Sequence, residues 1–296
     1  MGGAFVAVAS DASATWWNPA GLGPGPFLDL TVARTLTERP TGDDAWRAGA
    51  SWVALATPPL GLSYYRFRIT DIEGSGSTDA DAPDREDSGA GPSVRSLSAS
   101  QLGITVLRTI VPGVHTGTTL KYVRATSRAA PGVGSAAAEL LDEGEALDGG
   151  EADGEFDLDL GIIAVAGALR LGAVARNVRE PEFEGIRLPR QYRVGVAVDP
   201  ELIGGVPLTV AFDADVMRYE AAGGERKVVA LGAEQWLFGK RLGVRAGGRL
   251  NTVGSRERSV TAGISVAPRA GLFLEGHVVR GDEDEEGWGL AARVSF

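Results

Sequence analysis

The stretch that decides the fold is Trp288-Gly289-Leu290-Ala291-Ala292-Arg293-Val294-Ser295-Phe296. Apolar and small residues occupy one parity of this stretch, and Arg293 and Ser295 occupy the other. Successive side chains of a β-strand point to opposite faces, so such a strand has one apolar face and one polar face. A tilted strand of about 9 to 11 residues with this alternation can cross a bilayer as part of a closed barrel.

The same pattern recurs along the chain, in about fourteen segments of about 10 to 15 residues. Tight connections such as Pro58-Pro59 alternate without exception with polar and often long connections such as 71–97 and 127–153. A barrel places its short turns on one rim and its long loops on the other. The sequence therefore predicts an all-β fold, a transmembrane antiparallel β-barrel of about 14 strands. The segments are expected to begin near Phe27, Asp44, Leu60, Ser98, Val114, Gly154, Ala168, Arg190, Pro207, Arg226, Lys240, Glu257, Ala270 and Gly287.

A soluble β-sandwich also alternates polar and apolar residues, because its outer faces are in water. The strict alternation of connection lengths favours the membrane barrel, as do aromatic residues near segment ends. These aromatic residues are Trp46, Trp52, Tyr64, Tyr122, Trp236 and Trp288.

Composition narrows the classes of function. The chain has 296 residues and no cysteine, which excludes a disulfide framework, a thiolate metal site and a thiolate nucleophile. Its formal net charge of −10 argues against nucleic-acid binding, which favours a basic surface. No secretory signal is visible at Met1-Gly2-Gly3, and we expect the numbering to begin after or inside a removed leader. The expected location is the bacterial outer membrane, with long loops extracellular and both termini periplasmic.

Two long loops have compositions of their own. The stretch 71–91 is acidic and rich in Gly, Ser and Pro, which predicts a solvated loop. A calcium site there is possible, but no EF-hand spacing is present, and we expect no metal. The stretch 135–147 predicts a short amphipathic helix over the barrel mouth, weakened by Gly144.

No pattern typical of an enzyme is present in the sequence. His115 and His277 have no spacing typical of a metal site or a triad, and neither a G-x-S-x-G motif nor a P-loop occurs. We therefore predict a protein that is not an enzyme, with no catalytic residues and no cofactor.

Residues 1–26 differ from the rest and predict a compact plug segment inside a barrel formed by 27–296. Asp11 or Ser10 could cap a short helix from Ala12, and Asn18-Pro19 would end it. Trp16 and Trp17 could contact a hydrophobic ligand or pack within the plug. The candidate plug residues are Trp16, Trp17, Asn18, Pro19 and Ala20.

Charged residues fall on the polar parity of the later strands, which we expect to face the lumen. They could line a polar pathway or contact a ligand. They could instead form a salt-bridged network that fills the lumen and holds the plug, which is favoured because inward charges need partners. The candidate residues are Asp213, Asp215, Glu234, Arg245, Arg249, Glu275 and Arg293.

Residues 2–22 read Gly-Gly-Ala-Phe-x-Ala-x-Ala-x-Asp-Ala-Ser-Ala-x-x-Trp-Asn-Pro-Ala-Gly-Leu, and this pattern resembles the FadL/PorV superfamily of outer-membrane barrels. Residues 188–196 and 230–247 are similar to strand segments of the same group. The resemblance implies a fourteen-stranded barrel with an N-terminal plug. It also implies that the terminal Phe296 is the signal read by the barrel assembly machinery.

The resemblance implies two functions. FadL-type members carry fatty acids or other hydrophobic molecules through a plugged barrel with an opening in its wall, and this is the function we expect. PorV-type members, including PorV/PorQ-like proteins, are accessories of type IX secretion that hold exported proteins at the cell surface. A structural subunit of an envelope complex is a third possibility. The expected partners are accordingly outer-membrane lipid, hydrophobic small molecules, and secreted or envelope proteins, but no nucleic acid.

Overall fold

Fourteen antiparallel strands pair around a closed ring, which confirms the predicted all-β barrel. The computed structural model describes residues 1–41, 45–73, 92–147, 149, 152–183, 186–221, 224–254 and 256–296. In these ranges β8–β9 and β12–β13 form two separate hairpins, and the other strands form the barrel. The strands are β1 Asp29–Arg39, β2 Trp46–Thr57, β3 Leu60–Glu73, β4 Ser93–Val111, β5 Val114–Pro131, β6 Asp153–Ala166, β7 Leu169–Arg176, β8 Glu182–Phe183, β9 Ile186–Arg187, β10 Gln191–Val198, β11 Leu208–Asp215, β12 Tyr219–Ala221, β13 Gly224–Arg226, β14 Val228–Leu237, β15 Leu242–Asn251, β16 Arg258–Arg269, β17 Leu272–Gly281 and β18 Glu286–Ser295.

The connections place short turns on one rim, here called the short-turn rim, and longer segments on the opposite long-loop rim. Predicted and observed strand starts agree closely, except that β4 begins at Ser93 rather than near Ser98. Polar residues of 93–97 pair with 127–131 and extend β4 and β5 beyond the predicted boundary. Asp44 and residues 74–91 of the acidic loop, with its suggested calcium site, lie outside the described residues.

The outer face of the barrel is apolar. Val32, Leu102 and Val260 are 52, 55 and 63% exposed, although large apolar side chains of a water-soluble fold would face a core. Of the aromatic residues predicted near strand ends, Tyr64, Tyr122 and Trp288 share this exposed outer parity. Trp46, Trp52 and Trp236 lie on the inward parity of β2 and β14. Trp46 begins β2 and Trp236 is next to the end of β14, as predicted, whereas Trp52 lies in the middle of β2. No helix in the described ranges is long and apolar enough to cross a membrane.

The helix predicted in 135–147 forms at Ala137–Ala146, and we call it the rim helix. The sequence suggested that this helix covers the barrel mouth, but it does not. Leu140 and Leu141 pack against Ala45, Ile72 and Val94, which lie on the outward parity of β2, β3 and β4. Gly144 permits this packing, because a Cβ there would lie 2.3 Å from Thr70 Cγ2.

The start of the rim helix is held by a side chain from its own first turn. The Ser135 backbone N–H donates to Glu139 Oε2 at 3.0 Å. Together with the Ala136 N–H, this hydrogen bond holds the pKa of Glu139 below its usual value. The carboxylate thereby satisfies backbone donors that a helix start leaves unpaired.

Residues 1–22 lie inside the barrel. A single helical turn spans Ala14–Trp17, and a 3₁₀ turn spans Pro19–Leu22. The helix begins at Ala14 rather than Ala12, because the Asp11 carboxylate accepts the Ser13 N–H at 2.9 Å and forms a turn first. Asn18 ends the helix, as its place before a proline predicted.

Inward-facing glycines of the wall allow the plug backbone to approach the strands closely. A Cβ at Gly117 would lie 2.3 Å from the Pro19 carbonyl carbon, and one at Gly172 would lie 2.5 Å from the Val6 oxygen. A Cβ at Gly232 would lie 2.5 Å from the Met1 oxygen. Glycines on separate strands therefore form a seat that larger side chains would fill.

Candidate functional site in the barrel lumen

Two wall carboxylates hold the backbone of the plug. Asp213 Oδ2 on β11 accepts the N–H groups of Phe5 and Val6 at 2.8 and 2.9 Å. Asp29 Oδ1 on β1 accepts the Ala12 N–H at 3.0 Å. Both carboxylates are buried, so these bonds give the backbone donors of the plug acceptors away from bulk solvent.

Asn18 ties the plug to itself and to the wall. Its Nδ2 donates to Val6 O at 2.9 Å and to Ile162 O of β6 at 3.1 Å. Its Oδ1 accepts the Ala20 N–H at 3.1 Å, which starts the 3₁₀ turn. Pro19 and Ala20 lie against Gly117 of β5. The fully buried amide therefore fixes the turn at the centre of the plug.

A charged network near the short-turn rim joins four wall strands to the plug. Arg245 Nη2 lies 2.5 Å from Glu275 Oε2, and Arg245 Nη1 lies 3.9 Å from Glu234 Oε1. Arg293 forms two salt bridges: its Nη2 lies 3.3 Å from Glu275 Oε1, and its Nη1 lies 3.1 Å from Oδ2 of Asp11 in the plug. The structure thus brings together four of the sequence-predicted lumen residues in one cluster.

The other predicted lumen residues lie closer to the long-loop rim. Asp215 Oδ1 accepts from Arg193 Nε at 2.7 Å, and its Oδ2 accepts the Val228 N–H at 2.7 Å. Arg249 Nη2 pairs with Glu285 Oε1 at 2.7 Å. These contacts connect strands and are separate from the plug contacts of Asp213.

A second charged cluster lies on the side of the plug that faces the long-loop rim. It includes a lysine that the sequence reasoning missed. Lys121 Nζ of β5 lies 2.8 Å from Asp157 Oδ2 and 2.7 Å from Asp159 Oδ1 of β6. All three side chains are at most 1% exposed. Lys121 also donates to Asn177 Oδ1 at 2.8 Å. The inward parity of Lys121 beside two inward aspartates on the next strand was the available signal.

This cluster positions the connection between β7 and β10. Asp157 Oδ1 accepts the Arg179 N–H at 3.0 Å, and Asn177 Nδ2 donates to Pro189 O at 3.0 Å. Phe183 in this connection packs against Val123 and Ala125 on the inward parity of β5. The connection therefore folds back across the inner wall at the mouth.

An aromatic cluster joins the plug to β2 and β3. The Trp16 ring lies 5.1 Å from the Tyr65 ring and 5.1 Å from the Phe67 ring. The Trp52 ring lies 5.5 Å from that of Tyr65. The Arg176 guanidinium lies 3.7 Å above Trp16. Trp16 and Phe67 keep part of their surface accessible, and inside the ring that surface faces the lumen.

Trp17 points elsewhere. Its ring lies 5.0 Å from that of Phe5 and packs with small apolar residues of the plug and of β2. The two adjacent tryptophans therefore differ: Trp16 contributes to the lumen-facing cluster, and Trp17 packs within the plug. Phe296 is 70% exposed at the short-turn rim, where its backbone pairs with Leu28.

An apolar groove lies on the outer wall where the strands are shortest. Its volume is about 600 Å³, and Ala173, Ala175, Tyr192 and Val194 are among its lining residues. β7, β10 and β11 have 8 residues each, against 19 for β4. Strand pairing around the ring is nevertheless continuous at the groove, so the wall is closed there.

Comparison with known proteins assigns a family. A model of the TraF protein of the F plasmid transfer operon matches residues 44–215, which is more than half of the chain. The chain belongs to the TraF family. No curated protein sequence matches this TraF-family chain significantly.

Solved structures of other proteins share the fold of this TraF-family barrel. CymD, a monoaromatic hydrocarbon channel, superposes with a TM-score of 0.65 at 12% identity, over 100% of this chain and 95% of CymD. The toluene transporter TodX of Pseudomonas putida gives 0.59 at 11% identity, over 100% of this chain and 97% of TodX. The likeness concerns the fold, and it agrees with the FadL-like barrel that the sequence resemblance implied.

Proposed function

We propose that this protein lies in the bacterial outer membrane and that it binds and passes hydrophobic small molecules. The closed ring pairs both edges of each of its fourteen strands, and its outer face is apolar, as a bilayer requires. In the membrane the long-loop rim faces the outside of the cell, and both termini face the periplasm. Residues 1–26 act as a plug, and the protein is not an enzyme.

The aromatic cluster of Trp16, Tyr65, Phe67 and Trp52 carries the proposal. Aromatic rings that remain partly accessible in a charged lumen offer an apolar surface to a ligand. The charged clusters on either side of the plug pair internally, so they hold the plug in place. This supports the structural interpretation of the predicted lumen charges.

The substrate class proposed is hydrophobic, with fatty acids and monoaromatic compounds as the two candidates. The names of CymD and TodX point to the second, and the FadL resemblance points to the first. The outer groove beside β7 and β10 supplies an apolar surface through which a molecule leaving the lumen could enter the bilayer. Passage there requires the paired strands to separate.

Trp16→Ala and Phe67→Ala should each weaken binding of a hydrophobic ligand about tenfold, because each removes an aromatic contact worth about 1 kcal/mol together with apolar area. The measurement is displacement of a fluorescent naphthalene probe by toluene or by a long-chain fatty acid, using the barrel in nanodiscs.

Trp288→Ala is the matched control, because Trp288 lies on the outer face and contacts no lumen residue of the cluster. Its affinity should equal that of the wild type. Wild-type affinity in all three variants would show that the ligand does not bind at the aromatic cluster.

The alternative is a barrel that binds protein partners in an envelope assembly or, as a PorV-like accessory, in secretion. The TraF family is named after a protein of a plasmid transfer operon, and this favours an assembly role. The rim helix, which packs outside the wall at the long-loop rim, offers a surface for such a partner. Loss of a co-purifying envelope protein on removal of 132–147, with ligand binding unchanged and unaffected by Trp16→Ala, supports this alternative.

A further inference from the structure

Three arginines on the outer face of alternate strands, β1, β3 and β5, have no side-chain partner among the residues that the structure describes. Arg34 on β1, Arg66 on β3 and Arg124 on β5 are exposed. Within the described ranges, no hydrogen bond or ion pair joins their guanidinium groups to another side chain. Their isolation is unusual in a chain of net charge −10, where acidic partners are plentiful.

Strand register places these arginines in one row. Arg34 pairs with Ser51 of β2, and Ser51 pairs with Arg66. Arg66 pairs with Ser100 of β4, and Ser100 pairs with Arg124. Paired residues point to the same face, and strands lie about 4.8 Å apart, so successive arginines lie about 10 Å apart. We call these five residues the arginine row.

The residues next to the row show its place on the barrel. One step toward the short-turn rim, the same strands carry outward apolar or aromatic side chains in register. One step toward the long-loop rim, the outward residues of β2 to β5 are small or polar. The first set is Val32, Val53, Tyr64, Leu102 and Tyr122, and the second is Gly49, Arg68, Ser98 and Thr126.

The outer face of β2 to β5 therefore changes from apolar to polar at the arginine row. Tyrosines at such a boundary lie at the level of lipid headgroups. Guanidinium groups bind phosphate through two parallel hydrogen bonds, and they are the side chains best suited to it. Hydroxyl groups of Ser51 and Ser100, between the arginines, add further donors.

We propose that the arginine row binds the phosphorylated headgroup of a lipid in the leaflet around the long-loop rim. A lipid is favoured over a free anion, because the adjoining apolar row would contact its acyl chains while the arginines bind its phosphates. The proposal rests on the proposed insertion in a membrane and is independent of transport through the lumen.

The chain offers a matched control on the same outer surface. Arg108 of β4 is exposed on the outward parity, but it lies near the short-turn rim beside Val106 and Ile110. Replacing it removes the same charge from the same face without touching the row.

The experiment measures binding of a diphosphorylated glucosamine-based lipid to the purified full chain in mixed micelles, by native mass spectrometry. Replacing Arg34, Arg66 and Arg124 by Gln together should weaken binding about a hundredfold, at about fivefold per arginine. Arg66→Gln alone should weaken it about fivefold. Arg108→Gln and the wild type should bind equally, and the dephosphorylated lipid should bind both weakly.

Several results would overturn the proposal. One is equal binding by the triple variant and the wild type. Another is equal binding of the phosphorylated and dephosphorylated lipids. Displacement of the lipid by an equal concentration of inorganic phosphate would identify a free-anion site instead. If the triple Gln variant does not fold by heat-modifiability, Arg66→Gln and Arg66→Lys decide, with Gln expected to bind more weakly than Lys.

The lipid test and the transport proposal can fail separately. Loss of lipid binding in the triple variant should leave ligand binding at the aromatic cluster unchanged. Trp16→Ala should in turn leave lipid binding unchanged.

Discussion

Lys121→Met should lower the free energy of unfolding by about 3 to 5 kcal/mol, because it removes the ammonium that pairs with two buried carboxylates. Asp157 and Asp159 lie 2.8 and 2.7 Å from the Lys121 ammonium, and none of the three side chains reaches solvent. The loss should also release the connection that carries Phe183, since Asp157 and Asp159 accept its backbone N–H groups. Urea unfolding of the protein in lipid vesicles, followed by tryptophan fluorescence, measures the change.

Lys240→Met is the control for this prediction. Lys240 pairs with Glu201 at 2.8 Å, but both side chains are well exposed at the short-turn rim. An exposed ion pair contributes about 0 to 1 kcal/mol, so the control should unfold nearly as the wild type does. Similar losses for both lysines would contradict a structural role for the buried cluster.

Removal of residues 1–22 should leave a folded barrel that leaks small polar solutes. The plug fills the lumen at the level of the glycine seat, and the barrel strands pair with one another around the ring and not with the plug. We expect solute efflux from proteoliposomes to rise at least about tenfold, since no other described segment crosses the lumen at that level. Asn18→Ala should give a smaller rise, because it breaks the hydrogen bonds to Val6 and Ile162 but leaves the segment in place.

Gly117→Ala tests the same point without a deletion. The added methyl group would lie 2.3 Å from the Pro19 carbonyl carbon, so the plug must shift, at a cost of about 1 to 3 kcal/mol. Gly276→Ala is its control, because its nearest neighbour, Leu290 Cδ2, would lie 3.5 Å away. Unchanged efflux for the deletion and for Gly117→Ala would show that the segment does not close the lumen.

The barrel could be predicted from the sequence because each strand has two distinct environments. Apolar side chains on one parity and polar ones on the other recur with turns that alternate in length, and only a closed membrane barrel explains both. The boundaries of β4 and β5 were less accurate, because polar residues such as Ser93 and Ser127 resemble a loop. They pair as strand, and the rim helix and Phe183 cover the two faces of this extension.

The candidate site could be predicted only where the chemistry lies in one strand. The charges of β11, β14, β15, β17 and β18 were assigned to the lumen from their parity. Lys121 was missed because its partners come from the next strand, and register is not visible in a single segment. The aromatic cluster was also missed, because the sequence grouped Trp52 with aromatic residues near segment ends. Trp52 lies in the middle of β2, and its parity points inward to Tyr65.

The most direct test of the proposed function is uptake of a radiolabelled hydrophobic compound by cells with an intact outer membrane and no hydrophobic channel of their own. Long-chain fatty acid and toluene are each supplied to cells that express the wild type, Trp16→Ala/Phe67→Ala or Trp288→Ala in equal outer-membrane amounts. We predict that the wild type and Trp288→Ala raise uptake of at least one compound several-fold above cells without the protein, and that the double variant does not. Uptake by the wild type equal to that of cells without the protein, for both compounds, would contradict passage of hydrophobic molecules and favour a role in an envelope assembly.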